Sequence, residues 1–154
     1  MEEQNIIIET QMMIRKPIVE VFDAFINPNI TTNFWFSKSS GRLEENETIE
    51  WTWKMYNFST KVFVKEIIAN KKIVIEWENP TTTIVFEFLE LSEHKTYVTI
   101  KNYGFDVDDP NLIQSIIDKT GGFTTVLDGL KAYLEHNINL NLIEDKFPSE
   151  LNKH

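Results

Sequence analysis

Between Ile6 and Ile14 the chain alternates: Ile6, Ile8, Thr10, Met12 and Ile14 share one phase, Glu9 and Gln11 the other. That pattern predicts a half-buried strand. The period then lengthens. Pro17 suits a first helical position, and Ile18, Val21, Phe22 and Phe25 recur at i, i+3, i+4 and i+7, a single apolar stripe that stops before Asn27-Pro28. A second short helix or turn carries Ile30 and the cluster Phe34-Trp35-Phe36, and a polar stretch follows from Ser37 to Gly41.

A period of two then returns and persists. Ile49, Trp51, Trp53 and Met55 alternate with Glu50, Thr52 and Lys54, and Phe58, Thr60, Val62 and Val64 begin a returning strand after a turn near Asn57. Asn70-Lys71 separates this strand from Ile73, Ile75 and Trp77, and Asn79-Pro80 separates the latter from Ile84, Phe86 and Phe88. Glu93-His94 turns the chain into Val98, Ile100 and Asn102, ending near Gly104. Each strand carries one apolar face, as in an antiparallel meander. The last large element is a long helix. Asp109 and Pro110 form a cap and first-position pair, Ile113, Ile116, Ile117, Phe123, Leu127, Leu130 and Leu134 keep the helical period, and Asn137 is the expected stop. Beyond it, Ile138, Leu140 and Leu142 alternate with asparagines and predict an extended, packed tail before Phe147-Pro148. Strands followed by a helix give an α+β class.

At 154 residues, with no repeat and no Pro/Gly/Ser linker, the chain reads as one domain over 1–154. A formal net charge of −9 repels phosphate backbones and argues against a nucleic-acid partner. Zero cysteines exclude disulfides, thiolate metal sites and a Cys nucleophile. The start Met1-Glu2-Glu3-Gln4 has neither a basic region nor an apolar segment, and no apolar run reaches the ~20 residues of a membrane span, so a cytoplasmic location is expected.

Chemistry-bearing motifs are few. His94, His136 and His154 lie at a turn, a helix end and the terminus, with no metal-ligand spacing among them, so no metal and no cofactor is expected. Glu44-Glu45 and Asp108-Asp109 lie in loops, where solvation accounts for them. Glu66 reaches the inward phase only if its strand has no bulge. The informative signal is aromatic: Trp51 and Trp53, Trp77, Phe86 and Phe88 share the inward phase of three strands, and Phe123 lies on the helical stripe. If those faces turn to the helix, the rings converge on one volume, either as core or as the wall of a cavity. Asn102 on the inward phase and the adjacent glycines Gly121-Gly122 in the helix favour a cavity.

Four stretches carry a family resemblance: Ile14-Arg15-Lys16-Pro17-Ile18-Val19-Glu20-Val21-Phe22-Asp23-Ala24-Phe25 with Asn27-Pro28, then Phe34-Trp35, Ile73-Val74-Ile75-Glu76-Trp77, and Gly122-Phe123 through Glu135. In this order the chain resembles the heat shock protein 90 ATPase activator homologue family of the START-like (SRPBCC, Bet v 1-like) superfamily. It departs from that family with Phe34 and Phe123 where tryptophan is usual. The resemblance implies a helix-grip fold, a curved antiparallel sheet wrapped around a long C-terminal helix with two short N-terminal helices. It also implies a cavity between sheet and helix that holds a small hydrophobic molecule, aromatic or lipid-like. The expected lining is Phe34, Trp35, Trp51, Trp53, Trp77, Phe86, Phe88, Asn102, Phe123 and Leu127, with Asn102 orienting a polar atom and no catalytic residue. A chaperone ATPase is the alternative partner, although the eukaryotic activator's additional N-terminal domain has no room here, and a cyclase-type enzyme is the second alternative.

Overall fold

The computed structural model describes residues 6–77 and 81–152. Its elements are β1 (Ile8–Ile14), α1 (Ile18–Ile26), α2 (Pro28–Thr31), β2 (Lys38–Ser39), β3 (Thr48–Trp53), β4 (Phe58–Ile68), β5 (Lys72–Trp77), β6 (Thr82–Ser92), β7 (Lys95–Tyr103), α3 (Leu112–His136) and α4 (Leu142–Lys146), with 3₁₀ turns at Lys54–Tyr56 and Ser149–Asn152. The strands form one antiparallel sheet in the order β1-β7-β6-β5-β4-β3-β2. The sheet curves around α3, which makes the fold the expected α+β helix grip. Asn79-Pro80 and His154 lie outside the described residues.

Alternation sets the two faces. Cross-strand pairs Val64–Ile75, Ile75–Ile84 and Ile84–Asn102 form one inward row, and Ile67–Ile73, Ile73–Phe86 and Phe86–Ile100 form the next. Burying these rows against the helices supplies the main driving force. A register shift between Val64 and Glu66 inserts one extra residue into β4, so that Ile67 and not Glu66 lies opposite Ile73. Glu66 is thereby turned outward, where it pairs with Lys72 at 3.0 Å. Turns use asparagine: among the described residues every non-glycine position with positive φ is one, namely Asn46, Asn57, Asn70, Asn137 and Asn141. Its short side chain tolerates the left-handed region.

Four local expectations are corrected. Strand β3 ends at Trp53, and Met55 belongs to the following 3₁₀ turn. Helix α3 begins at Leu112, because the Asp109 carboxylate accepts the Asn111 N–H in a local turn and does not cap the helix. The apolar stripe of α3 outruns the sheet: Phe123, Val126, Leu127 and Leu130 are buried, whereas Ile113 and Ile117 are 75% and 57% exposed. Finally, the alternation at 138–142 is not a packed strand. Ile138 and Leu140 are half exposed, and Leu142 opens α4.

Helix α3 is fastened to the start of the fold at its C-terminal end. Lys131 Nζ donates to the Met13 carbonyl at 3.1 Å and to Glu135 Oε2 at 2.6 Å, while the Arg15 N–H donates to the same carboxylate oxygen at 2.8 Å. Further along, a Cβ on Gly129 would lie 3.2 Å from Phe34 Cβ and 3.3 Å from Phe34 O. That is the close approach for which a glycine is required.

Candidate functional site

The aromatic residues divide into two layers. Phe36 stacks on Trp51 with ring centroids 4.6 Å apart and an interplanar angle of 17°. Trp51 is 1% exposed, and Phe25 packs against both Phe86 and Phe88 in the core. Above this layer, Trp53 stacks on Trp77 at 5.9 Å and 23°, and Trp35 meets Trp77 and Phe123 at 6.2 and 6.4 Å. These four rings line a groove of about 250 Å³ between the sheet, α3 and α4.

The groove has a second wall that the inward phase of the strands does not announce. Tyr56, Ile143, Lys146 and Phe147 close it on the side of the C-terminal segment, and Gly122 and Val126 form its α3 edge. The Tyr56 hydroxyl donates to the Ile143 carbonyl and so fastens the 3₁₀ turn after β3 to α4. Burial raises the Tyr56 phenol above its ordinary value; a backbone contact with Phe147 opposes this, and the charges of Glu144 and Asp145 add to the rise. A sequence signal for this wall exists in the apolar residues beyond Asn137, in particular Ile143 and Phe147, but their spacing does not reveal where the segment folds back.

The glycine pair takes on a definite meaning. A Cβ on Gly122 would meet nothing within 4 Å, so this position faces open space in the groove. A Cβ on Gly121 would lie 3.4 Å from Lys146 Nζ. Neither glycine serves a close backbone approach of α3; that role belongs to Gly129, against Phe34 in the loop after α2.

Of the residues expected to line the cavity, Trp35, Trp53, Trp77 and Phe123 border the groove. Phe34 packs against Gly129 and lines a separate depression of about 230 Å³ on the other side of Ile143, among Thr32, Asn33, Asn139 and Asn141. Trp51, Phe86, Phe88 and Leu127 are buried in the core. Asn102 is fully buried; its Nδ2 donates to Thr82 Oγ1 at 3.1 Å and to Thr83 O at 2.9 Å. Its Oδ1 has no hydrogen-bond partner among the described residues, and nor does Thr10 Oγ1 on β1. Among the described residues no group of three or more His, Asp or Glu side chains is placed to hold a metal ion. Flat rings, open space and few polar groups equip the groove to take up apolar surface.

Residues 15–135 match the family model described as activator of Hsp90 ATPase homolog 1-like protein. The chain belongs to this family. As a member of the activator of Hsp90 ATPase homolog 1-like family it is similar to protein SSP2350 from Staphylococcus saprophyticus, at 31% identity and TM-score 0.78 over 88% of this chain and 96% of that one. The Aha1 dimer from Colwellia psychrerythraea shares the fold at 18% identity and TM-score 0.71, covering 85% of this chain and 97% of the other. CalU16 from Micromonospora echinospora does so at 14% and 0.69, covering 91% and 81%. No curated protein matches. Among the described residues of this family member, no helix is long and apolar enough to cross a membrane.

Proposed function

We propose that the chain is a cytoplasmic, non-catalytic binder of a small, flat, hydrophobic molecule, taken up in the groove between the sheet and α3. The observation that carries this reading is the pairing of the Trp53–Trp77 ring wall with the open space in front of Gly122. A helix that served packing alone would gain about 1 kcal/mol from alanine at such a position. At about 250 Å³ the groove falls just below the usual range of about 300–1,000 Å³ for drug-sized ligands, which favours a compact occupant. Each ~100 Å² of ligand surface removed from water is worth ~2.5 kcal/mol before the costs of association.

Three of the four tryptophans border the groove, so occupancy reports on itself. A saturating flat apolar ligand is expected to change intrinsic fluorescence and to stabilise the fold by about 2.7 kcal/mol at about 100 times its Kd. Native mass spectrometry of protein from its natural host is expected to show a retained small molecule. A broad hydrophobic library that changes neither fluorescence nor melting temperature refutes the reading.

The family favours a second reading, contact with a heat shock ATPase. Stimulation of a purified Hsp90-class ATPase by the ligand-free protein supports that role, and absence of both binding and stimulation removes it. A cyclase-type activity requires an inward acid or base, and the carboxylate suited to it by sequence, Glu66, points away from the groove into its pair with Lys72.

A further inference from the structure

Two cations stand at the mouth of this apolar groove, in a chain whose formal net charge is −9. Lys119 Nζ lies 5.9 Å from the centroid of the Trp77 ring, and Lys146 Nζ lies 5.8 Å from that of Phe147. Both aromatic partners are themselves groove residues. The ammonium groups are therefore held over ring faces at the rim, with their stems along apolar surface. Lys146 is further positioned by α3. Its Nζ lies 3.4 Å from Thr125 Oγ1 and beside Gly121, where a Cβ would be in ordinary contact with it at 3.4 Å. Asp118, the acidic residue on the same rim, accepts a hydrogen bond from Gln114 Nε2 at 2.9 Å. Glu144 and Asp145 on α4 add negative charge near Tyr56, which also lines the groove, so an anion would have to be received on the Lys119–Lys146 side of the rim.

A neutral ligand would gain little from this arrangement. An anionic group attached to the flat apolar body would exchange part of its hydration for two ammonium groups at the edge of a low-dielectric wall, where charge interactions are stronger than in bulk water. Resting on the ligand-binding reading above, we infer that the groove selects amphipathic anions: an aromatic or aliphatic body against Trp53, Trp77 and Phe123, and a carboxylate or sulfonate received by Lys146 and Lys119.

The test compares three probes with the same ring system, 2-naphthoate, the uncharged 2-naphthamide and the cationic 2-naphthylmethylammonium, by isothermal titration calorimetry at low and high salt. The expected order is naphthoate tightest, by about tenfold over the amide at low salt, with the cation weakest, and with the margin shrinking as salt screens the contact. Lys146→Met keeps the apolar stem and removes the charge, and is expected to bring the naphthoate-to-naphthamide ratio near one. Lys65→Gln, an equal charge change on the exposed outer face of β4, is expected to leave the ratio as in the wild type. Equal affinities for acid and amide, a preference for the cation, or a ratio unmoved by Lys146→Met overturns the anion selectivity and leaves the groove reading standing. Failure of all three probes to bind overturns both.

Discussion

Replacing Gly122 separates ligand binding from stability. The glycine costs its helix up to about 1 kcal/mol relative to alanine, and the alanine methyl would meet nothing within 4 Å, so Gly122→Ala carries no steric penalty. The expected gain is therefore about 1 kcal/mol, or about 2–4 °C in melting temperature for a domain of this size. Gly122→Leu extends the experiment. Leucine keeps most of the helix propensity and places its apolar side chain in the groove of about 250 Å³, against the rings a ligand would otherwise cover. The leucine variant is expected to be at least as stable as wild type by urea denaturation and to lose binding of flat apolar ligands by calorimetry. Loss of binding through unfolding is thereby excluded in the same sample. A leucine variant that binds like wild type shows that ligands do not occupy this groove. An alanine variant less stable than wild type shows that the space in front of Gly122 is filled in solution.

Gly129→Ala has the opposite sign. The new methyl would press within about 3.3 Å of the Phe34 carbonyl, whose loop is pinned by N–H bonds from Phe34 and Trp35 to Thr31 O, so overpacking outweighs the helix gain and a net loss of about 1 kcal/mol is expected in urea. Glu135 makes a pH-dependent contribution. Its burial opposes ionisation but is outweighed by the Lys131 hydrogen bond, the Arg15 N–H and the charges of Lys131 and His136, so its value is lowered from 4.5. That stabilisation is present above the unfolded value and is lost as pH falls through the lower folded value. Urea midpoints should therefore drop below about pH 4.5 in the wild type and drop less steeply in Glu135→Gln. Tyr56→Phe removes the donor to Ile143, and amide exchange over 142–147 is expected to quicken while that of the sheet stays unchanged.

The sheet was legible because alternation directly reports a pleated surface with one buried face, and Trp51, Ile75, Phe86 and Ile100 all fall where that pattern puts them. The groove was legible only in part. Trp51 and Trp53 share a phase two residues apart, yet one is enclosed by Phe36 and Trp35 and the other borders the groove. Phase names a face, but depth depends on sheet curvature and on what covers the strand end. Glu66 was ambiguous for a related reason, since one inserted residue exchanges the faces of everything after it. The 138–142 segment misled because isolated apolar residues between asparagines satisfy a period of two without a strand to pair with. Ile113 and Ile117 keep a helical period past the edge of the sheet, where the period no longer means burial.

The fastening of α3 gives the protein a mechanical asymmetry. At one end the helix is tied to β1 and to the chain entering α1 through Lys131 and Glu135, and at Gly129 it bears on Phe34; at the other end Ile113 and Ile117 project into solvent. The groove lies on the N-terminal side of this clamp, at Gly122 and Phe123, where side chains hold α3: Phe123 against Trp35, Lys119 over Trp77 and Thr125 beside Lys146. Any tilt of α3 about the clamped end would change the groove's width more at Lys119 than at Val126. Widening the groove in that way would cost the Phe123–Trp35 and Lys119–Trp77 contacts while sparing the hydrogen bonds of Lys131 and Glu135.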